Sequence, residues 1–133
     1  MRIVIDTNVI VSAVFLGGRP RELLEELFSN NIEAFASPEI LIEYKETFDE
    51  LCSRYPDRPV RIPITQIAAA CKIVIPDKQF HICRDPDDDK FIDCAEADKC
   101  MFIVSGDKDL LSLTKVKNIE IITVSEFFDR YSK

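Results

Sequence analysis

One histidine, His81, stands in the whole chain of 133 residues. No Ser-His-Asp or Cys-His pair built on it competes convincingly as nucleophilic machinery, and it reads as a structural or exposed residue. Cysteine occurs five times, at positions 52, 71, 83, 94 and 100, and no two have CxxC spacing. With so few nitrogen and sulfur donors so arranged, a zinc site is not expected. An odd number of cysteines outside any disulfide framework reads as reduced, mostly buried thiols, and favours a cytoplasmic location. No apolar run approaches the roughly 18 residues of a membrane span. The opening MRIVIDTN meets an acid at Asp6, so the long apolar stretch of a secretory signal is missing too. The chain also lacks a basic excess: 17 Lys and Arg against 24 Asp and Glu give a formal net charge of -7. A protein that wins affinity from phosphate contacts ordinarily shows a basic face. The acids are then either a solvated surface or, in part, a site that attracts cations.

What the chain does have is alternation. Residues 2–5, RIVI, form a short β-branched run that stops at Asp6, the pattern of a buried parallel strand. TNVIVSAVF follows as a helix with Thr7 or Asn8 as its N-cap, and Gly17-Gly18 ends it. RELLEELF places Leu23, Leu24, Leu27 and Phe28 on one helical face; Asn30-Asn31 ends that helix, and IEAFA reads as a second strand. Ser37-Pro38-Glu39 combines cap, proline and acid, and so opens a helix continued at helical spacing by Ile40, Leu41, Tyr44, Phe48 and Leu51. From Cys52 to Pro63 the sequence is polar with three prolines, a loop or excursion. ITQIAAACKIV is a helix, or a helix running into a strand. A helix spans about Asp88 to Lys99, MFIVS is a strand, KDLLSL a short helix and IEIITV a last strand. Ser125-Glu126 caps a terminal helix, EFFDRY. The alternation predicts a three-layer α/β sandwich with a mainly parallel central sheet, in one domain over residues 1–133, without internal repeats.

Open parallel sheets bind ligands beyond the carboxyl ends of their strands. Two predicted strands run into acids there, one into Asp6 and the other through Ser105-Gly106 into Asp107, with Asp109 close behind. The stretch RDPDDDKFIDCAE adds Asp85, Asp87, Asp89, Asp93 and Glu96 at positions 1, 3, 5, 9 and 12 of an apparent calcium loop. Such a loop needs glycine at its sixth position. Lys90 stands there, and proline stands second. A helix start is the better reading. At about 100° per residue Phe91, Ile92, Cys94 and Ala95 face the core, while Asp89, Asp93 and Glu96 share the opposite face. Asp89, in the first turn, is expected to point over the sheet end toward Asp6 and Asp107. Glu43 stands in mid-helix among apolar neighbours. Clustered carboxylates repel one another, and a hard cation such as Mg²⁺ or Mn²⁺ relieves that repulsion better than zinc does.

In this order and spacing VIDTNVIVSA, SPEILIEYKE, RDPDDDKFIDCA and FIVSGDKDLL resemble the PIN-domain ribonucleases, especially the small single-domain toxins of toxin–antitoxin pairs. The resemblance implies an acidic, metal-dependent nuclease site. Asp6 matches the family's first-strand Asp, Glu43 its helical Glu, Asp89 the Asp that opens the helix across the site, and Asp107 the Asp after the later strand. Asn8, Ser105 and Asp109 match supporting polar positions, and Asp93 is an extra acid. The implied reaction is hydrolysis of RNA phosphodiesters with Mg²⁺ or Mn²⁺. Asp6, Asp89 and Asp107 would hold metal, and Glu43 would hold metal or orient its water. Arg19, Arg21, Lys45, Arg54, Arg58, Arg61 and Lys108 would track the RNA backbone. An antitoxin protein and a homodimer are further expectations; a membrane is not.

Three rivals remain at the level of sequence. A receiver-type signalling domain also gathers Asp residues around Mg²⁺, but needs an acidic pair after its first strand and a Lys after its last. Here Asp6 is followed by Thr7, and ITVSEFF holds no such Lys. A phosphatase of the haloacid-dehalogenase type needs a second Asp two residues after its nucleophile, where this chain has Asn8. A catalytically silent PIN-fold binding module is opposed by the four intact acids.

Overall fold

The computed structural model describes residues 1–131. The chain runs β1 (Arg2–Ile5), α1 (Thr7–Phe15), α2 (Gly18–Phe28), β2 (Glu33–Ala36), α3 (Pro38–Arg54), α4 (Ile64–Ala70) and β3 (Lys72–Ile73). A 3-10 turn, Pro86–Asp88, then leads into α5 (Asp89–Ala97), followed by β4 (Phe102–Val104), α6 (Lys108–Leu111), β5 (Lys115–Val116), β6 (Ile119–Ile122) and α7 (Val124–Tyr131). The sheet order is β3-β2-β1-β4-β6-β5, with every neighbour parallel except the β5–β6 pair. Successive residues Ile3, Val4 and Ile5 are at most 1% exposed. Adjacent strand residues point to opposite faces, so burial of all three means that helices cover both faces of β1. The three-layer, mainly parallel α/β arrangement expected from the alternation is the one observed.

This order positions the site. From β1 the chain steps one way to β2, and β4 lies on its other flank. The crevice where the winding reverses opens at the carboxyl ends of β1 and β4, the usual ligand position in such sheets. Asp6 follows β1 directly, and its N–H donates to the Val104 carbonyl at 2.9 Å, tying the two strand ends together. Tyr44, reaching in from α3, donates its hydroxyl to the Ile5 carbonyl and is 2% exposed. Burial pushes its phenol well above the ordinary tyrosine range, so it remains a neutral donor. Tyr44→Phe is expected to cost about 1–2 kcal/mol, since the Ile5 carbonyl then loses a buried partner. Urea denaturation of the two proteins measures it.

Several boundaries differ from the sequence expectation. The N-cap of α1 is Asp6 rather than Thr7 or Asn8, and its side chain makes no capping bond. The excursion begins at Tyr55 because α3 continues to Arg54. Ile62 returns that excursion to the core, 7% exposed, and the Arg61 N–H bonds the Val14 carbonyl at 2.9 Å. ITQIAAACKIV resolves into α4 followed by β3. The final helix is capped by Thr123 instead of Ser125. The Glu126 N–H donates to Thr123 Oγ1 at 3.1 Å, and Glu126 Oε1 accepts from the Thr123 N–H at 3.2 Å, a reciprocal capping box. All five cysteines are free; Cys71, Cys94 and Cys100 are buried, and burial pushes the Cys94 and Cys100 thiols up to about 12. Among the described residues no helix is long and apolar enough to cross a membrane.

Candidate active site

Asp6 is the first residue beyond β1 and is 6% exposed. Its Oδ2 accepts a hydrogen bond from Ser105 Oγ at 2.6 Å. Ser105, just past β4, in turn accepts from the Asp107 N–H at 3.0 Å. One hydroxyl thus links the acids at two strand ends. Burial holds the Asp6 carboxyl above the usual range; the Ser105 hydroxyl opposes this, while Asp107 and Glu43 add repulsion. Asp107 caps α6, its Oδ1 accepting from the Asp109 N–H at 3.1 Å.

The acid facing these two from the α5 side is Asp88, the last residue of the 3-10 turn. Burial and the negative charges of Asp107, Asp6 and Asp85 push its carboxyl up to about 7. Asp89 is placed otherwise. Its Oδ1 accepts from the Ile82 and Cys83 N–H groups at 3.0 and 2.8 Å. Burial works against its charge, but those two amides outweigh it and hold the carboxyl below the usual range. Asp93, one turn on, accepts from the Phe80 N–H at 2.7 Å. Asp89 and Asp93 therefore pin the segment Phe80–Cys83 along α5. Asp109 faces outward and pairs with Arg84 at 3.7 Å.

Glu43 projects from α3 with both oxygens engaged. Thr7 Oγ1 donates to Oε1, and the Lys90 ammonium lies 2.5 Å from Oε2. Lys90 was no part of the expected site. Asn8 is exposed and, with Ser12, Arg19, Ser105 and Thr123, lines a groove of about 440 Å³ that shares Ser105 with the acids. Of the basic residues expected along an RNA path, Arg19 is the one in this groove, and it also lies 3.9 Å from Glu22 on its own helix. Arg21, Lys45 and Arg54 pair with acids one turn away on their own helices.

Among the described residues no three His, Cys, Asp or Glu side chains are drawn tightly enough together to enclose a metal ion. The donor chemistry of Asp6, Asp88 and Asp107 nonetheless fits a hard divalent cation. All the donors are carboxylate oxygens, and a carboxyl with a pKa of about 7 beside two other acids is relieved by positive charge. This has a consequence for pH. A carboxyl raised in the folded state is protonated there after its unfolded counterpart has ionised. The Asp88 contribution to stability is therefore fully present below about pH 4 and is lost as pH rises to about 7. In EDTA-treated protein, Asp88→Asn is expected to remove that decline and to raise Tm at pH 7.5 relative to wild type. Melts from pH 4.5 to 8 test it.

A model of the PIN domain matches residues 2–109. An uncharacterized protein, MJ1680, of Methanocaldococcus jannaschii is 34% identical over 145 aligned positions, covering 100% of this chain and 93% of the relative. No solved structure matches the chain. The chain therefore belongs to the PIN domain family, whose members are generally metal-dependent nucleases.

Proposed function

We propose that the protein is a Mg²⁺- or Mn²⁺-dependent endoribonuclease whose ion is held by Asp6, Asp88 and Asp107. The observation that carries this is the convergence of acids from β1, the 3-10 turn and the end of β4 at the switch point of a parallel sheet: Ser105 joins the Asp6 carboxylate to the Asp107 amide, and burial with the charges of Asp107 and Asp6 raises the Asp88 carboxyl. Family membership sets aside the receiver and phosphatase readings. When bound, the ion supplies positive charge against a phosphoryl oxygen and makes water nucleophilic near neutral pH. The chain's residues do the rest. Ser105 donates its hydroxyl to Asp6 Oδ2 and accepts a hydrogen bond from the Asp107 N–H on the same oxygen, fixing the two acids relative to each other. Glu43, held by Thr7 and Lys90, presents negative charge toward Asp6 from α3. Asn8 and Arg19 supply a hydrogen-bonding group and a cation in the adjoining groove, where the RNA backbone would lie.

Asp89 and Asp93 support the segment beside α5 in this reading, and the third metal ligand passes from Asp89 to Asp88. PIN nucleases often pair with antitoxins, so we place this chain as the toxin of such a pair; the neighbouring reading frame is where its inhibitor would be encoded. The test is cleavage of a panel of end-labelled RNAs with Mg²⁺, with Mn²⁺ and with EDTA. Cleavage with either ion and none with EDTA is expected. Undiminished cleavage in EDTA contradicts the proposal.

A further inference from the structure

Lys90 is the most deeply buried charged side chain beside the acids, with 4% of it exposed. An ammonium has three protons to donate. Here it has three acceptors: Glu43 Oε2 at 2.5 Å, Asp87 Oδ2 at 3.0 Å and the Asp87 carbonyl at 2.6 Å. Its hydrogen-bonding capacity is fully used by the protein, so it has none to offer a substrate phosphate. Glu43 is equally committed, with Lys90 on one oxygen and the Thr7 hydroxyl on the other. Lysines are seldom buried unless paired. Burying one here costs desolvation that a solvent-facing residue at the start of α5 would avoid. The cation therefore has a local use, and of the two carboxylates it pairs with, Glu43 is the one that reaches the site from α3.

We propose that Lys90 is a positioning residue that stands as a fixed cation for Glu43, keeping Glu43 out of direct metal ligation, so that the site takes a single divalent ion at Asp6, Asp88 and Asp107. This rests on the nuclease reading above. Two-ion nuclease sites neutralise their acids with a second metal; in this chain a covalently tethered ammonium does that for Glu43. Arginine would not replace lysine freely, because its planar fork cannot direct three protons to acceptors arranged around a point charge.

The test is Mn²⁺ binding to the full-length protein, followed by calorimetry and by the paramagnetic resonance of free Mn²⁺. Wild type is expected to bind one ion. Glu43→Gln is expected to bind one ion with affinity lowered by no more than about 100-fold, because an outer partner is worth 10–100-fold and loss of a direct ligand exceeds that. Lys90→Met keeps the length of the side chain and removes its charge; it is expected to gain a second Mn²⁺ site. Wild type binding two ions, or Glu43→Gln losing more than about 100-fold in affinity, overturns the proposal while leaving the nuclease reading intact. Lys90→Met binding one ion as wild type does also overturns it. If Lys90→Met does not fold, the Glu43→Gln affinity decides alone. Wild type binding no Mn²⁺ contradicts the nuclease reading itself.

Discussion

Asp6→Asn is expected to reduce metal-dependent RNA cleavage by more than about 100-fold without lowering Tm. The magnitude follows from losing a direct ligand, since outer partners alone are worth 10–100-fold. Asn keeps the shape of Asp and removes its charge. Were Asp6 only a helix cap, Asn would serve nearly as well. The cap position is indeed Asp6, yet its side chain makes no capping bond and is turned to Ser105 instead. An amide oxygen at the same place still accepts the Ser105 hydroxyl. Burial, Asp107 and Glu43 all disfavour the Asp6 carboxylate, so removing its charge from the metal-free protein relieves repulsion and leaves Tm equal or higher. Cleavage and thermal melts of both proteins separate the readings. Equal cleavage on a substrate that wild type cuts would remove Asp6 from the mechanism.

The second large effect distinguishes neighbouring acids. Asp88→Ala is expected to abolish cleavage with Tm at neutral pH unchanged or raised. Asp89→Ala is expected to destabilise the protein by about 2–4 kcal/mol, since two charge-assisted bonds to the Ile82 and Cys83 amides are lost and those groups are left without a partner. At temperatures where it remains folded, Asp89→Ala should retain far more cleavage than Asp88→Ala. Because the Asp89 carboxyl is held below its ordinary range, its stabilising contribution is present above about pH 4 and is lost as pH falls through the folded value. Asp88 has the opposite sign. Denaturation at pH 7 and at pH 3.5, with cleavage alongside, reads both. Asp88→Ala cleaving normally while Asp89→Ala stays folded and inactive would return the ligand role to Asp89.

Much of this arrangement was legible before any coordinates. RIVI and FIV are β-branched runs too apolar for a surface strand, and both lie central and parallel in the sheet. The positions of Asp6 and Asp107 at the crevice end are readable because each follows such a run. Asp88 was harder. Residues 85–89 hold four acids and a proline, and each step around a helix start rotates a side chain by about 100°. The signal was nevertheless there. Asp88 is followed by Phe91, Ile92 and Ala95 at i+3, i+4 and i+7, the stripe that faces the core, whereas Asp89 shares its face with Asp93 and Glu96. Lys90 was passed over because lysine by default is solvent-exposed; its burial depends on Glu43 and Asp87 meeting it from other elements, which no local pattern shows. Strand β5 escaped because two residues carry no period. Its turn places Lys117 at φ 54, a conformation ordinarily left to glycine or asparagine.

The most direct measurement is an anomalous difference map from crystals grown with Mn²⁺ at a concentration that supports cleavage. The expected result is one strong peak bounded by carboxylate oxygens of Asp6, Asp88 and Asp107, with Lys90 still on Glu43. A peak away from these three acids, or no peak at a concentration at which RNA cleavage is measured, would contradict the assignment.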